Sequence, residues 1–265
     1  MNKSRLQTAT SQNKHLFIPF IMAGDPTPKL TVDLALQLEE SGADILELGV
    51  PYSDPLADGP VIQQSAIRAL EQKMNLEKAI ALVSEMREKG LKIPVIIFTY
   101  YNPVLQLGEE KLFKLMKEHQ ADGILIPDLP YEESRELATR CEKEGLPLIS
   151  LVAPTSKERV EQIAKNASGF LYCVSSLGVT GVRKEIDASI YEFLTEVKKH
   201  SRVPVAVGFG ISNKEQVQLL QPYCDGIIVG SALVKMVESK KTEMLEMKEN
   251  AFLEIKTFVQ SLISS

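Results

Sequence analysis

Short, nearly uninterrupted apolar runs alternate along the chain with longer stretches in which apolar residues recur every three or four positions. The runs fall at 15–22, 44–48, 94–99, 123–126, 147–152, 169–174, 204–207 and 226–229. A continuous apolar run reads as a strand buried on both faces, as in a parallel sheet. The intervening spacing predicts helices. Residues 28–41 set Leu30, Leu34, Ala35 and Leu38 on one face. Residues 76–89 repeat that face with Ile80, Val83 and Met86 and stop at Gly90, a helix-ending signal. Further helical stretches are 109–118, 132–144, 157–166, 189–199 and 214–220, with a last one from about 231 towards 263, broken near Lys240.

Several helical stretches end in a Gly-Ala-Asp, Gln-Ala-Asp or Gly-Leu-Pro turn just before the next strand, so one supersecondary unit is used repeatedly. Strand–helix alternation means parallel strands joined by right-handed crossovers. Eight units in a chain of 265 residues predict an α/β fold, a (β/α)₈ TIM barrel. An open doubly wound sheet is the alternative. No Pro/Gly/Ser-rich linker interrupts the pattern, so residues 1–265 read as a single domain. Residues 1–14 form an extra N-terminal helical segment outside the barrel proper. Two connections, 49–60 and 175–187, are longer than a simple strand-to-helix turn, and long loops of this kind are often lids.

The formal net charge is −5 without a long basic run, which argues against a nucleic-acid or anionic-membrane surface. Three widely spaced cysteines, Cys141, Cys173 and Cys224, give neither a disulfide framework nor a zinc pattern and suit a reducing compartment. The polar N-terminus lacks the apolar core of a signal peptide, and no apolar run reaches the ~18 residues of a membrane span. A soluble, cytoplasmic protein is expected.

The seventh strand ends in Val207-Gly208-Phe209-Gly210-Ile211-Ser212 and the eighth in Ile228-Val229-Gly230-Ser231-Ala232-Leu233. Glycine at a strand-to-helix turn lets backbone N–H groups approach an anion, and the following helix adds its positive end. Such barrels recurrently bind phosphate at these two loops. With Gly178-Val179-Thr180-Gly181 able to close over the same point, the pattern predicts a small-molecule substrate carrying phosphate.

At the strand ends stand Glu47, then Thr99, Tyr100, Tyr101 and Asn102, then Pro127 and Asp128, then Tyr172 and Cys173. No lysine stands at a C-terminal strand end, as a Schiff-base aldolase requires. His15, His119 and His200 fall before strands or late in helices, so no histidine base or histidine metal site is expected. Carboxylates remain. Glu47 interrupts the apolar strand Asp44-Ile45-Leu46-Glu47-Leu48, where a charge costs several kcal/mol unless paired or neutralised. Asp58 lies with Asp54 in a loop bounded by Pro and Gly, where aspartate also serves merely to bond its own backbone.

The segment Glu47-Leu48-Gly49-Val50-Pro51-Tyr52-Ser53-Asp54-Pro55-Leu56-Ala57-Asp58-Gly59-Pro60 closely resembles the long motif of the tryptophan synthase α chain family. The resemblance continues through Phe17-Ile18-Pro19-Phe20-Ile21-Met22-Ala23-Gly24-Asp25-Pro26 and returns at the glycine loops, covering nearly the whole chain. Two departures stand out: Tyr52 where phenylalanine is usual, and Ser175-Ser176-Leu177, which lacks the arginine of some members. The resemblance implies cleavage of indole-3-glycerol phosphate to indole and glyceraldehyde 3-phosphate, with no cofactor or metal on this subunit. It further implies an α₂β₂ complex with a β subunit that carries pyridoxal phosphate and receives indole through a tunnel.

By the same resemblance Glu47 is the acid and base of the cleavage and Asp58 takes the indole N–H. Phe20, Tyr100, Leu125, Tyr172, Thr180 and Phe209 would line the substrate, and Gly181, Gly210, Gly230 and Ser231 would hold its phosphate. Pro51, Asp54 and Asn102 would control the interface and loop closure. Two other readings stay open. Another phosphate-binding barrel, an isomerase or synthase of amino-acid biosynthesis, would share the glycine loops but differ at the second strand. A non-catalytic binding module would bind the phosphate ligand without releasing indole.

Overall fold

The computed structural model describes residues 3–12, 15–155, 157–174, 188–208 and 210–263. Eight parallel strands close into a barrel in chain order: β1 (Leu16–Met22), β2 (Leu46–Gly49), β3 (Val95–Phe98), β4 (Gly123–Leu125), β5 (Leu148–Val152), β6 (Leu171–Val174), β7 (Val205–Gly208) and β8 (Gly226–Val229). Leu16 pairs with Gly226 and Pro19 with Val229, which closes β8 onto β1. Closure removes the open edges that a doubly wound sheet would leave.

The period of two along each strand sorts side chains between two cores. Leu46 and Leu48 face the surrounding helices, while Ile45 joins Ile18, Ile96, Leu125, Ile149, Phe170 and Ile228 inside the barrel. Glu47 shares the parity of Ile45 and is therefore directed inward. Around the outside run α2 (Pro28–Glu40), α3 (Pro60–Glu71), α4 (Leu76–Glu88), α5 (Tyr101–Leu107), α6 (Glu109–Glu118), α7 (Arg135–Glu144), α8 (Lys157–Asn166), α9 (Ala188–His200), α10 (Lys214–Leu220), α11 (Ser231–Leu245) and α12 (Glu249–Ile263).

The N-terminal segment contains α1 (Arg5–Thr10), capped by Ser4 and Gln7 in a reciprocal box. Its Leu6, 2% exposed, joins the interior cluster from below, and Arg5 reaches Asp122 at 3.3 Å and Gln120 at 2.6 Å. A helix too short to persist alone is thus held by one buried side chain and two polar contacts.

The repeated Asp-containing turn has a structural cause. Asp44 accepts the backbone N–H of Phe17, Asp122 that of Val95 and Asp225 that of Val205, each at 2.9 Å. Each carboxylate bolts the start of its strand to the one before it, at the end of the barrel opposite the candidate site.

Three helical details differ from the sequence expectation. Residues 60–71 form α3, with Pro60 pre-setting its first turn and Gly59 at its N-cap. Its buried stripe, Ile62, Ser65, Ala66 and Ala69, is mostly small, so it lacks a strong apolar signal. Residues 101–107 form α5, of which only Val104 is buried. The last helical stretch breaks at 246–248 rather than near Lys240, with Met247 at φ +56°.

Candidate active site

Glu47 stands on β2 between Phe20 of β1 and Ile96 of β3. It is 0% exposed, and among the described residues neither carboxylate oxygen has a hydrogen-bond partner. Burial alone lifts its pKa from the ordinary 4.5 to about 8, because an ionised carboxylate loses its hydration with nothing in exchange. Near neutral pH this side chain is mostly a protonated acid held in an apolar wall.

Asp58 reaches the same face from the loop after β2 and is half-buried. Its carboxylate accepts the Tyr100 hydroxyl, and Gln63 of α3 donates to its backbone carbonyl at 2.8 Å. The Tyr100 oxygen also accepts the Ala57 N–H at 3.0 Å, so one hydroxyl pins two consecutive loop residues. Burial raises the Asp58 pKa to about 6, the bond from Tyr100 opposing that rise. Burial and the Asp58 charge push the Tyr100 hydroxyl above its ordinary range.

Tyr172 on β6 lies within electrostatic reach of both carboxylates, and it too is raised, first by burial and then by Glu47 and Asp58. Its ring crosses in front of Gly208, where a Cβ would meet the hydroxyl at 2.5 Å. Phe20 meets Phe98 edge to face with centroids 5.4 Å apart, forming an apolar wall beside Glu47. Leu125 is fully buried in the interior cluster and pairs with Phe98 in register.

The departure at Tyr52 adds a contact. Its ring stacks obliquely on Tyr100 at 5.2 Å, and its hydroxyl accepts a hydrogen bond from Asn102 Nδ2 at 2.9 Å. The loops after β2 and β3 are joined by it. Between them Leu56 projects 91% exposed.

On the same face, beside Phe20, Gly230 caps α11, whose first residue is Ser231. The first N–H groups of a helix have no acceptor within it, so this end can receive an anion. Gly210 adopts φ +67° after β7. The Ser212 N–H is already given to Gln216 Oε1 at 2.8 Å. Thr180, Gly181 and Phe209 lie outside the described residues.

The histidines stay away from this face: His119 bonds Ser84 at 2.8 Å and His200 bonds Glu196 at 2.9 Å, both on outer helices. Among the described residues no group of three His, Cys, Asp or Glu could hold a metal, and no helix is long and apolar enough to cross a membrane. Sequence reasoning missed Gln63, because α3 was not foreseen, and missed both bonds made by Tyr100, to Ala57 and to Asp58.

The model of the family described as tryptophan synthase alpha chain matches residues 6–262. The tryptophan synthase alpha chain of Geobacillus thermodenitrificans is 64% identical over 252 residues, covering 94% of each chain. That of Halalkalibacterium halodurans is 58% identical over 264 residues, covering 99% of this chain and 100% of its own. Among solved structures, tryptophan synthase subunit alpha from Legionella pneumophila superposes with TM-score 0.87 at 34% identity, over 98% of this chain and 97% of that one. The tryptophan synthase complex from Pyrococcus furiosus contains a chain that superposes with TM-score 0.83 at 36% identity, over 96% and 99%.

Proposed function

The chain belongs to the tryptophan synthase alpha chain family, and from that premise we propose that Glu47 and Asp58 divide its chemistry between them. The family's reaction is a carbon–carbon lyase step of tryptophan biosynthesis. It cleaves indole-3-glycerol phosphate to indole and glyceraldehyde 3-phosphate, and the alpha chain works with a β subunit. Membership replaces the other phosphate-barrel enzymes as the reading of the glycine loops.

The observation that carries the residue assignment is Glu47: a fully buried carboxyl without a partner, in an apolar wall at the C-terminal end of a barrel strand. The bond to be broken joins C3 of the indole to the glycerol chain. It yields only when the ring is protonated at C3 and can accept the bonding electrons. Glu47, raised to about 8, is protonated and able to give that proton. Its carboxylate then takes the proton of the adjacent glycerol hydroxyl as the aldehyde forms and the electrons return to the ring. The proton count closes on one residue.

The ring nitrogen becomes positive in between. Asp58, with a pKa of about 6, is largely ionised at neutral pH and faces that charge by accepting the N–H. Phe20, Tyr100, Leu125, Tyr172 and Phe209 contribute to the substrate pocket. Gly210, Gly230, Ser231 and, from the loop after β6, Thr180 and Gly181 close around the phosphate. None of these steps calls on a cofactor of this subunit, and pyridoxal phosphate belongs to the β partner. The reading includes a single barrel domain, an α₂β₂ assembly and a cytoplasmic location.

The test is indole release from indole-3-glycerol phosphate by the purified chain, alone and with a β subunit, beside Glu47→Gln. The reading expects release that β accelerates and that the variant loses by a factor of ~10²–10⁴. Full activity in Glu47→Gln would remove the acid, and binding without release in every condition would leave a phosphate-binding module.

A further inference from the structure

A second polar assembly lies behind the site and takes no part in the chemistry above. Asp25, 4% exposed, follows β1. It accepts Arg68 Nε on Oδ1 and Arg68 Nη2 on Oδ2, both at 2.8 Å, and Ser65 Oγ on Oδ2 at 2.5 Å. Ser65 and Arg68 are one turn apart on α3, so the same face of that helix makes all three bonds. The remaining arm of the guanidinium, Nη1, reaches Glu238 on α11 at 2.8 Å. One fork thus ties the end of β1, α3 and α11 together, in the bidentate geometry that only arginine supplies.

The location gives the assembly its meaning. α3 begins two residues after Asp58, and its Gln63 holds the Asp58 carbonyl. Its inner side, Ile62 and Ala66, packs with Phe20, Met22 and Val234. α11 begins at Ser231, on the phosphate rim, and Glu238 lies two turns further along it. Apolar contacts between small side chains resist sliding weakly, whereas a bidentate pair fixes both the rotation of α3 and its position along its axis. Desolvating such a pair offsets most of its own attraction, so fold stability alone accounts poorly for it.

The geometry points to Arg68 as a positioning residue: latched to Asp25, Ser65 and Glu238, it holds α3 so that Asp58 is presented to the indole nitrogen in register with the phosphate end of α11. This rests on the assignment of Asp58 made above.

The experiment compares Arg68→Met, Arg68→Lys, Ser65→Ala and Glu238→Gln with the parent in the complex with β subunit, with Asp58→Asn as control. kcat, KM, the pH profile of kcat/KM and Tm are read for each. Arg68→Met is expected to lose about ten- to a hundredfold in kcat/KM, the scale of an ångström-level misplacement. The acid limb, near 6 in the parent, is expected to move towards the ordinary aspartate range of ~4 as water reaches Asp58. Arg68→Lys, which keeps the charge and loses the fork, is expected to recover part of the activity.

A lower Tm with the acid limb unmoved and kcat/KM within twofold of the parent would reduce Arg68 to a structural residue and overturn the inference. Should Arg68→Met fail to fold, Ser65→Ala and Glu238→Gln carry the same readout, and unchanged limbs in both overturn it equally. Full activity in Asp58→Asn would instead overturn the role of Asp58, whatever Arg68 does.

Discussion

Replacing Glu47 by glutamine should remove a pH-dependent loss of stability while costing the protein most of its reaction. The native glutamic acid has a pKa of about 8 against an ordinary 4.5, because burial without a partner penalises its charge. Between those two values the unfolded chain releases a proton that the native state keeps. A folded-state pKa raised in this way means that stability is greatest below ~4.5 and is lost as pH rises towards 8, at ~1.4 kcal/mol per pH unit. The loss amounts to about 5 kcal/mol across the window, of which about 3 kcal/mol has gone by pH 7. Against a total stability of roughly 5–15 kcal/mol this is a large fraction.

Glutamine cannot ionise, so it escapes this loss. It brings its own cost for a buried amide, but that cost does not vary with pH and cancels when the two proteins are compared across a pH series. The assay is urea unfolding of both proteins at pH 5, 7 and 8.5, followed by circular dichroism since the chain has no tryptophan. The variant should gain on the parent by ~2–3 kcal/mol between pH 5 and pH 7 and further by pH 8.5. A difference that stays flat across the three pH values would show that Glu47 titrates as an ordinary carboxyl, and the physical basis for its acid role would go with it.

Further outcomes follow from the same geometry. The pH profile of kcat/KM should be bell-shaped, with an acid limb near 6 from Asp58 and a basic limb near 8 from Glu47; a profile flat between pH 5 and 9 would contradict both assignments. Tyr100→Phe removes the hydroxyl that binds the Ala57 N–H and the Asp58 carboxylate, so the acid limb should move up and kcat/KM should fall about tenfold, the worth of one charge-assisted hydrogen bond; an unchanged limb would show that the bond is idle. Gly208→Ala puts a Cβ 2.5 Å from the Tyr172 hydroxyl, so steady-state kinetics should show loss of activity in a folded protein, and wild-type kinetics would show that Tyr172 can move aside freely. Leu6→Ala should cost ~2–4 kcal/mol of stability in denaturant unfolding by opening a cavity beneath the barrel, with kcat unchanged; a stability within 0.5 kcal/mol of the parent, the usual range for surface changes, would mean that α1 does not plug the barrel.

The barrel was legible because its strands are buried on both sides. Runs such as 204–207 and 226–229 are apolar almost throughout, and each lies within two residues of the observed strand. Glu47 was legible for the complementary reason, as an acid flanked on both sides by apolar residues of such a run. What escaped were elements whose stability comes from small or polar contacts. α3 buries mainly Ile62, Ser65, Ala66 and Ala69 and is otherwise fastened through Arg68 and Gln63. α5 is seven residues long with Val104 as its buried anchor, and the Tyr101 N–H at its start is held by Asp128 across 27 positions. Periodicity reports apolar area, and these segments have little. The partners of Asp58 were hidden because Tyr100 is 42 residues away and Gln63 lies in the helix that was missed.

The described part of the chain carries its own control for the meaning of Glu47. Among the described residues, Asp25, Asp44 and Glu47 are carboxyl-bearing residues buried within the fold. Asp25 is met by an arginine fork and a serine hydroxyl, and Asp44 by the N–H of Phe17. Both therefore regain in hydrogen bonds much of what they lose in hydration. Glu47 regains none of it, although the fold plainly has the means to satisfy buried acids elsewhere. A residue that serves only the fold has no reason to stay in that condition, since leucine or methionine of similar volume would remove about 3 kcal/mol of penalty at pH 7. Stability forgone at one position, at the strand end that carries the proposed site, is what a group kept for its proton would show. Asp58 completes the logic from the other side. Raised by burial to a pKa of about 6, with the bond from Tyr100 opposing the rise, it is charged where Glu47 is neutral, so between pH 6 and 8 each carboxyl is in the state that the proposed reaction asks of it.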